Sequence, residues 1–107
     1  MIDQTTIEER LWLALRDVDD PELPINIVDM GLVVAMRYAT GTVFLKITFT
    51  AMGCPAMDMI LDDVRARLML EPDVQHVNVE VVWEPIWTKA RLSDDGKAQL
   101  REWGISV

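Results

Sequence analysis

The spacing of apolar residues near the N-terminus predicts an amphipathic helix over residues 6–18. Thr6 and Glu9 have the spacing of a capping box, in which a hydroxyl and a carboxylate satisfy the free amides of a helix end. Pro21 disfavours helical backbone at Asp20, so the helix is expected to end before it. The apolar positions recur every three or four residues along one face: Ile7, Leu11, Ala14, Leu15 and Val18.

An alternation of apolar and polar residues then predicts an antiparallel hairpin of strands 32–38 and 42–50. The short turn between them contains Gly41, a residue that tolerates left-handed backbone. One face of the second strand is expected to be buried and the other half-exposed. The predicted inner face is Val43, Leu45, Ile47 and Phe49, and the outer face is Phe44, Lys46, Thr48 and Thr50.

The rest of the chain predicts one more helix, one more strand and a short terminal helix. Pro55 suits the first position of a helix over residues 55–70. Residues 76–83 alternate as a third strand, and Ser93 caps a last helix that Gly104 ends. The third strand joins after a helical crossover, which gives a mixed sheet. The predicted fold is a compact α+β two-layer sandwich with a three-stranded mixed sheet, in the order helix, strand, strand, helix, strand and short C-terminal helix.

Composition and charge exclude several classes of function. The chain has 107 residues, which is the size of one domain, so residues 1–107 are expected to form a single domain. Acidic residues outnumber basic ones 18 to 10, and the net charge of −8 disfavours nucleic-acid binding. Neither a targeting segment nor a membrane-spanning apolar run is visible, so the cytoplasm is the expected location and no membrane partner is expected. One cysteine excludes an internal disulfide, and one histidine disfavours a histidine-based triad.

Cys54 is the most informative residue, because it lies between Gly53 and Pro55 at the predicted start of the second helix. Unpaired amides and the positive end of the helix dipole favour a thiolate at such a position. Free cysteine is also commonly a small buried apolar residue. The residues alone leave both interpretations open: a reactive or metal-binding thiolate, or a packing residue.

Acidic residues form a second candidate site in the proline-containing loop. Asp20 and Glu22 flank Pro21, and Asp29 follows in the same loop. The carboxylates are either oxygen ligands beside a site or solvated acids at a helix end, and the residues alone favour the second interpretation. Thr50 could offer a hydroxyl, although plain β-propensity is the stronger interpretation of this residue.

Two further residues are candidates for contact with a partner. Met52 belongs to a methionine cluster near Cys54, which suits an adaptable contact surface or simple filling of the core. Trp87 follows Glu84-Pro85 in an irregular loop, where packing as core or lid is the plainer interpretation.

Three motifs in this order resemble the small iron–sulfur cluster assembly domain family, also called PaaD-like or SufT-like. They are residues 20–32 (DPELPINIVDMGL), residues 48–55 (TFTAMGCP) and residues 84–87 (EPIW) with the later tail, and the resemblance runs from about Thr5 to Ile105. Two loops depart from the family pattern. Glu84-Pro85-Ile86-Trp87 stands where Asp-Pro-Pro-Trp is usual, and Met52-Gly53 stands where a proline-containing pair is frequent, which puts partner choice in doubt.

The resemblance implies a role in the maturation of iron–sulfur proteins. It implies that Cys54 is the cluster or metal-transfer thiolate, that Asp20, Glu22 and Asp29 are the supporting acidic loop, and that Thr50 is the supporting hydroxyl. The cofactor implied is a transient iron–sulfur cluster or iron, with no tightly bound organic cofactor. The partners implied are the iron–sulfur assembly machinery and client apoproteins.

Three functional classes remain open. The leading one is a non-enzymatic accessory factor that helps to assemble or transfer clusters. The second is an enzyme with Cys54 as nucleophile, for which a histidine partner is missing. The third is a protein–protein interaction scaffold without metal. One thiolate per chain cannot complete a cluster site, so it is expected to share the cluster with other ligands, with a client or with a second copy in a homodimer.

Overall fold

Helices and strands follow one another in the predicted order in the computed structural model, which describes residues 4–20, 25–50 and 56–104. The elements are α1 (Gln4–Leu15), β1 (Val33–Ala39), β2 (Thr42–Ile47), α2 (Ala56–Met69), β3 (His76–Val81), a 3-10 turn (Lys89–Arg91) and α3 (Asp94–Glu102). This order and the α+β class confirm the fold expected from the sequence.

The sheet is mixed, as the sequence predicted, with the strand order β1-β2-β3. β1 and β2 are antiparallel, and Tyr38 pairs with Val43. β2 and β3 are parallel, and Leu45 pairs with Val79. The parallel pair is possible because α2 carries the chain back to the start of the sheet between the two strands.

The two faces of β2 differ as expected. Val43, Leu45 and Ile47 are buried, whereas Lys46 is exposed. Helices α1 and α2 pack on the buried face, α1 against β1 and α2 against β3. The largest fully buried side chains come from both helices, the sheet and the loop before β1: Leu11, Leu15, Ile25, Ile27, Met30, Leu32, Leu45, Ile47, Ile60, Leu68, Val43 and Val64.

Helix α1 is shifted towards the N-terminus relative to the predicted range 6–18. It begins at Gln4, so Thr6 lies inside the first turn and not at the predicted capping position. At the other end, hydrogen bonds between residues three apart, such as Val18 N to Leu15 O (3.2 Å), form a tighter turn after the helix. Val18 then accepts a hydrogen bond from Ile27 N at 2.9 Å. Val18 is therefore buried through extended pairing, and the apolar spacing did not distinguish this from a continuing helix.

Strand β2 ends at Ile47, three residues before the predicted boundary, because β1 begins and β3 ends opposite this residue. The last cross-strand bond joins Thr48 N to Leu32 O at 2.8 Å. The backbone before Leu32 turns at Gly31, whose φ is +75°. The alternation predicts an outer-face position for Thr48, but Thr48 is buried. Strand β3 likewise ends at Val81 and not at residue 83.

Two ion pairs link α1 and the turn after it to α2 and the turn after it. Arg10 pairs with Asp73, just after α2. Arg67 on α2 donates to Asp17 at 3.0 Å and to Glu71 at 3.3 Å. The hydrogen bond to Asp17, with a smaller contribution from Glu71, raises the pKa of the Arg67 guanidinium above its ordinary value.

The C-terminal helix forms as predicted. The hydroxyl of Ser93 caps α3 by accepting from Gly96 N at 2.9 Å. Gly104 follows α3 with a φ of +81°. In the part of the chain described, no helix has the length and apolar character needed to cross a membrane.

The opposite faces of β2 make a direct test of this packing. Leu45→Ala removes a side chain that is 1% exposed and leaves a cavity, so the free energy of unfolding should fall by about 2–5 kcal/mol. Lys46→Ala, one residue along and exposed, should change it by less than about 0.5 kcal/mol. Urea unfolding measures both values, and equal losses would contradict the assigned faces.

Candidate functional site

The loop of residues 25–32 is organised around the carboxylate of Asp29, which is only 3% exposed. Its Oδ2 accepts from the Asn26 amide at 2.7 Å, and its Oδ1 accepts from the Ser93 hydroxyl at 2.8 Å. Arg16 Nη1 lies 3.4 Å from Oδ1 and 3.5 Å from Oδ2. A buried carboxylate is costly unless it is paired and hydrogen-bonded, and these partners meet that requirement.

The main chain of Asp29 is held as firmly as its side chain. Asp29 N donates to the side-chain amide oxygen Oδ1 of Asn26 at 2.9 Å, three residues back, as in the bond that an N-cap asparagine accepts. Asp29 O accepts from Ser93 N at 2.9 Å. A Cβ at Gly96 would lie 2.8 Å from Asp29 O, so glycine allows the first turn of α3 to approach this loop. Asp29 thus joins the end of α1, the loop before β1 and the start of α3.

The segment before α3 fastens the next two residues of the same loop. Trp87 Nε1 donates to Met30 O at 2.7 Å. Arg91 Nε donates to Gly31 O at 2.8 Å. A Cβ at Gly31 would lie 2.2 Å from Arg91 O, a clash of backbone against side chain that only glycine avoids. The loop of residues 25–32 is therefore covered by the chain's own C-terminal segment.

Three of the predicted site residues, Glu22, Met52 and Cys54, lie outside the described residues. The residues that flank them are placed. Asp20 N donates to Ile25 O at 3.0 Å, so the two ends of the segment 21–24 are hydrogen-bonded together. The segment 51–55 lies between the exposed Thr50 and the start of α2 at Ala56. Because Cys54, Asp20 and Glu22 lie in loops or helix ends that flank the hairpin, we expect them to meet at one end of the sheet, and this stays a prediction.

The other predicted residues have definite places. Asp20 is half-buried and Thr50 is exposed. Asp29 is a buried part of the loop's hydrogen-bond network and not an exposed acid. Trp87 is half-buried with its indole nitrogen bonded to the chain, so its described contacts are internal. Exposed aromatic and aliphatic surface lies nearby instead at Trp83 and Ile86.

A buried hydroxyl accompanies these residues at the end of β2. Thr48 is 1% exposed, and its Oγ1 has no hydrogen-bond partner among the described residues. In residues 4–20, 25–50 and 56–104, no three carboxylate, imidazole or thiol side chains are grouped to hold a metal ion.

Sequence reasoning missed the network that holds Asp29. The spacing of Asn26 and Asp29 is a usable signal, because asparagine commonly bonds to backbone a few residues ahead. Ser93 was recognised only as a helix cap. Its bond to Asp29 spans 64 positions and leaves no local pattern in the sequence.

The fold and the loop define a small α+β domain of a known class. Residues 8–81 match the family described as "Iron-sulfur cluster assembly protein". The chain belongs to this family.

Named relatives agree with this membership. The chain is similar to the "Fe-S protein maturation auxiliary factor SufT" of Staphylococcus aureus, with 40% identity over 84 residues, 78% of this chain and 96% of that protein. It is 37% identical over 94 residues to a "Fe-S protein maturation auxiliary factor" of Porphyromonas gingivalis, covering 87% of this chain and 90% of that one. A crystal structure of a domain of unknown function from Bacillus anthracis has a TM-score of 0.86 at 35% identity and covers 96% of each chain.

The Asp29 network predicts that a nearly isosteric substitution at this position lowers the stability of the fold. Asn at position 29 keeps one acceptor oxygen and turns an NH₂ group towards a donor, from either Asn26 or Ser93. One buried donor loses its partner, so Asp29→Asn should lower the free energy of unfolding by about 1–3 kcal/mol. Asp63→Asn, which removes an exposed acid from α2, should change it by less than about 0.5 kcal/mol. Equal effects in urea unfolding would show that Asp29 is not specially held.

The hydroxyl of Thr48 has no hydrogen-bond partner among the described residues, so its removal should raise the free energy of unfolding and not lower it. Thr48→Val keeps the shape and removes a buried hydroxyl, so the free energy of unfolding should rise by about 1 kcal/mol. Thr50→Val, at an exposed position, should be close to neutral. A loss of stability on Thr48→Val would show that the hydroxyl has a partner outside the described residues.

Proposed function

We propose that this chain is a non-enzymatic accessory factor in the maturation of iron–sulfur proteins, acting as a single domain over residues 1–107. Its partners are the iron–sulfur assembly machinery and client apoproteins of the cytoplasm. Membership of the iron–sulfur cluster assembly family supports this role, as do relatives that are named maturation auxiliary factors. The observation that carries the proposal is a lone cysteine two positions before α2 in a chain of this family.

Cys54 acts in this proposal as a thiolate ligand to the cluster while it is transferred. Helix α2 has 14 residues, long enough for its free N-terminal amides and dipole to favour a thiolate nearby. Thiolates are the natural ligands of iron–sulfur clusters. The cluster is cargo, and one thiolate per chain leaves most of its ligand positions to a client or to a second copy in a homodimer.

The remaining candidate residues have supporting roles. Asp20 and Glu22 orient their loop or hold incoming iron briefly, because hard carboxylates suit a cluster less well than a thiolate. Asp29 fixes the loop that follows them. Thr50 offers a hydroxyl beside the cysteine segment, and Met52 contributes to partner contact. Trp87 supports partner contact indirectly, by holding the loop that carries the exposed Trp83 and Ile86.

Cys54→Ser tests this role in cells that depend on the protein to mature their iron–sulfur enzymes. Client enzyme activity should fall to the level of cells lacking the protein, because a hydroxyl does not replace a thiolate ligand. The thermal midpoint of the purified variant should stay nearly unchanged. Asp20→Asn should lower client activity less, and Asp62→Asn, an exposed acid on α2, should leave it unchanged.

Normal client activity in the Cys54→Ser cells would reject the ligand role and favour an interaction scaffold without metal. Loss of a measurable catalytic turnover by the purified protein on Cys54→Ser would instead support the enzyme alternative.

A further inference from the structure

The face of the sheet opposite the helices is open. Among the described residues, no helix packs on it, since α1 and α2 both lie on the side of Val43, Leu45 and Ile47. A shallow pocket of about 370 Å³ lies on the open face. Its outward-facing lining residues come from all three strands: Ala35, Arg37, Phe44, Lys46, Asn78 and Glu80.

This face carries two cations that lack anionic partners. In the described part of the chain, neither Arg37 nor Lys46 forms a salt bridge or a side-chain hydrogen bond. In contrast, Arg10, Arg16 and Arg67 each pair with a carboxylate. Acids outnumber bases 18 to 10 in this protein, so unpaired cations on one face are not the expected outcome of composition.

The register of the sheet sets the spacing of the two cations. Lys46 pairs with Ala35, and Arg37 pairs with Phe44, so the cations are diagonal neighbours on adjacent strands. Diagonal neighbours lie about 7–8 Å apart. The guanidinium carbon of Arg37 lies 4.7 Å from the centre of the Phe44 ring, which holds the cation over the sheet between the two strands.

We propose that the open face binds an acidic segment of a partner protein in extended conformation. Side chains at positions i and i+2 of an extended chain share a face about 7 Å apart, which matches the spacing of Arg37 and Lys46. Asn78 adds an amide to the same surface. The lining residues are mostly exposed, and such an open surface suits a peptide better than a small molecule, which needs an enclosing pocket.

Glu80 is an acidic residue on the same face, so it should affect the binding of an acidic segment in the opposite direction from Arg37 and Lys46. It pairs with Lys46 across the parallel strands, yet it forms no salt bridge with it. A carboxylate at this position repels an acidic segment and partly offsets Lys46. Its removal should therefore strengthen binding, whereas removal of either cation should weaken it.

The probe is a fluorescein-labelled peptide of alternating Glu and Ser residues, with both ends blocked, followed by fluorescence anisotropy. Arg37→Ala and Lys46→Ala should each weaken its binding about two- to fivefold, the range of exposed ion pairs, and Glu80→Gln should tighten it by a similar factor. Arg65→Ala removes an exposed cation from α2 and changes the net charge equally, so it is the matched control and should leave binding unchanged. Cys54→Ser should bind like the unmodified protein, because this face does not depend on cluster transfer.

Three results would overturn the proposal. The first is no binding of the alternating peptide at millimolar concentration. The second is equal weakening by Arg65→Ala, which would indicate a response to net charge alone. The third is an unchanged affinity in Lys46→Ala, or in Lys46→Gln should the alanine variant fail to fold.

Discussion

The hydrogen bonding of the buried Asp29 carboxylate is the interaction on which the rest of the candidate site depends. The carboxylate is a single charge removed from water, and its cost is offset by hydrogen bonds from Asn26 and Ser93 at 2.7 and 2.8 Å. Arg16 contributes less, since its contacts are 3.4 Å or longer and its side chain is 47% exposed. The short hydrogen bonds, and not the ion pair, therefore account for most of the stabilisation.

This arrangement links the C-terminal segment to the loop beside the candidate site. Ser93, Trp87 and Arg91 bond to three consecutive residues of that loop, 29 to 31. The loop in turn leads from the Asp20 segment into β1, beside the end of β2 from which the chain runs to Cys54. A scaffold of this kind holds the described ends of the two segments that carry the candidate site residues.

The sequence predicted the elements and the sheet because those depend on periodicity and turn residues that lie close together in the chain. The inner face of Val43, Leu45 and Ile47 is a pattern within one strand. The boundaries were less predictable, since α1 ends at Leu15, shortly before Val18 pairs with Ile27, and β2 ends opposite the start of β1. The candidate site was likewise predictable only in part. The resemblance pointed to Cys54, Asp20 and Asp29, but contacts over long separations, such as Ser93 with Asp29, have no local pattern.

A double-mutant cycle between Asp29 and Ser93 tests the central claim most directly. The free energies of unfolding of Asp29→Ala, Ser93→Ala and the double variant are measured in urea and compared with the unmodified protein. If the carboxylate joins α3 to the loop through the serine hydroxyl, the two losses should be coupled by about 1 kcal/mol or more. Losses that add within about 0.5 kcal/mol would contradict the claim, because the two side chains would then act independently.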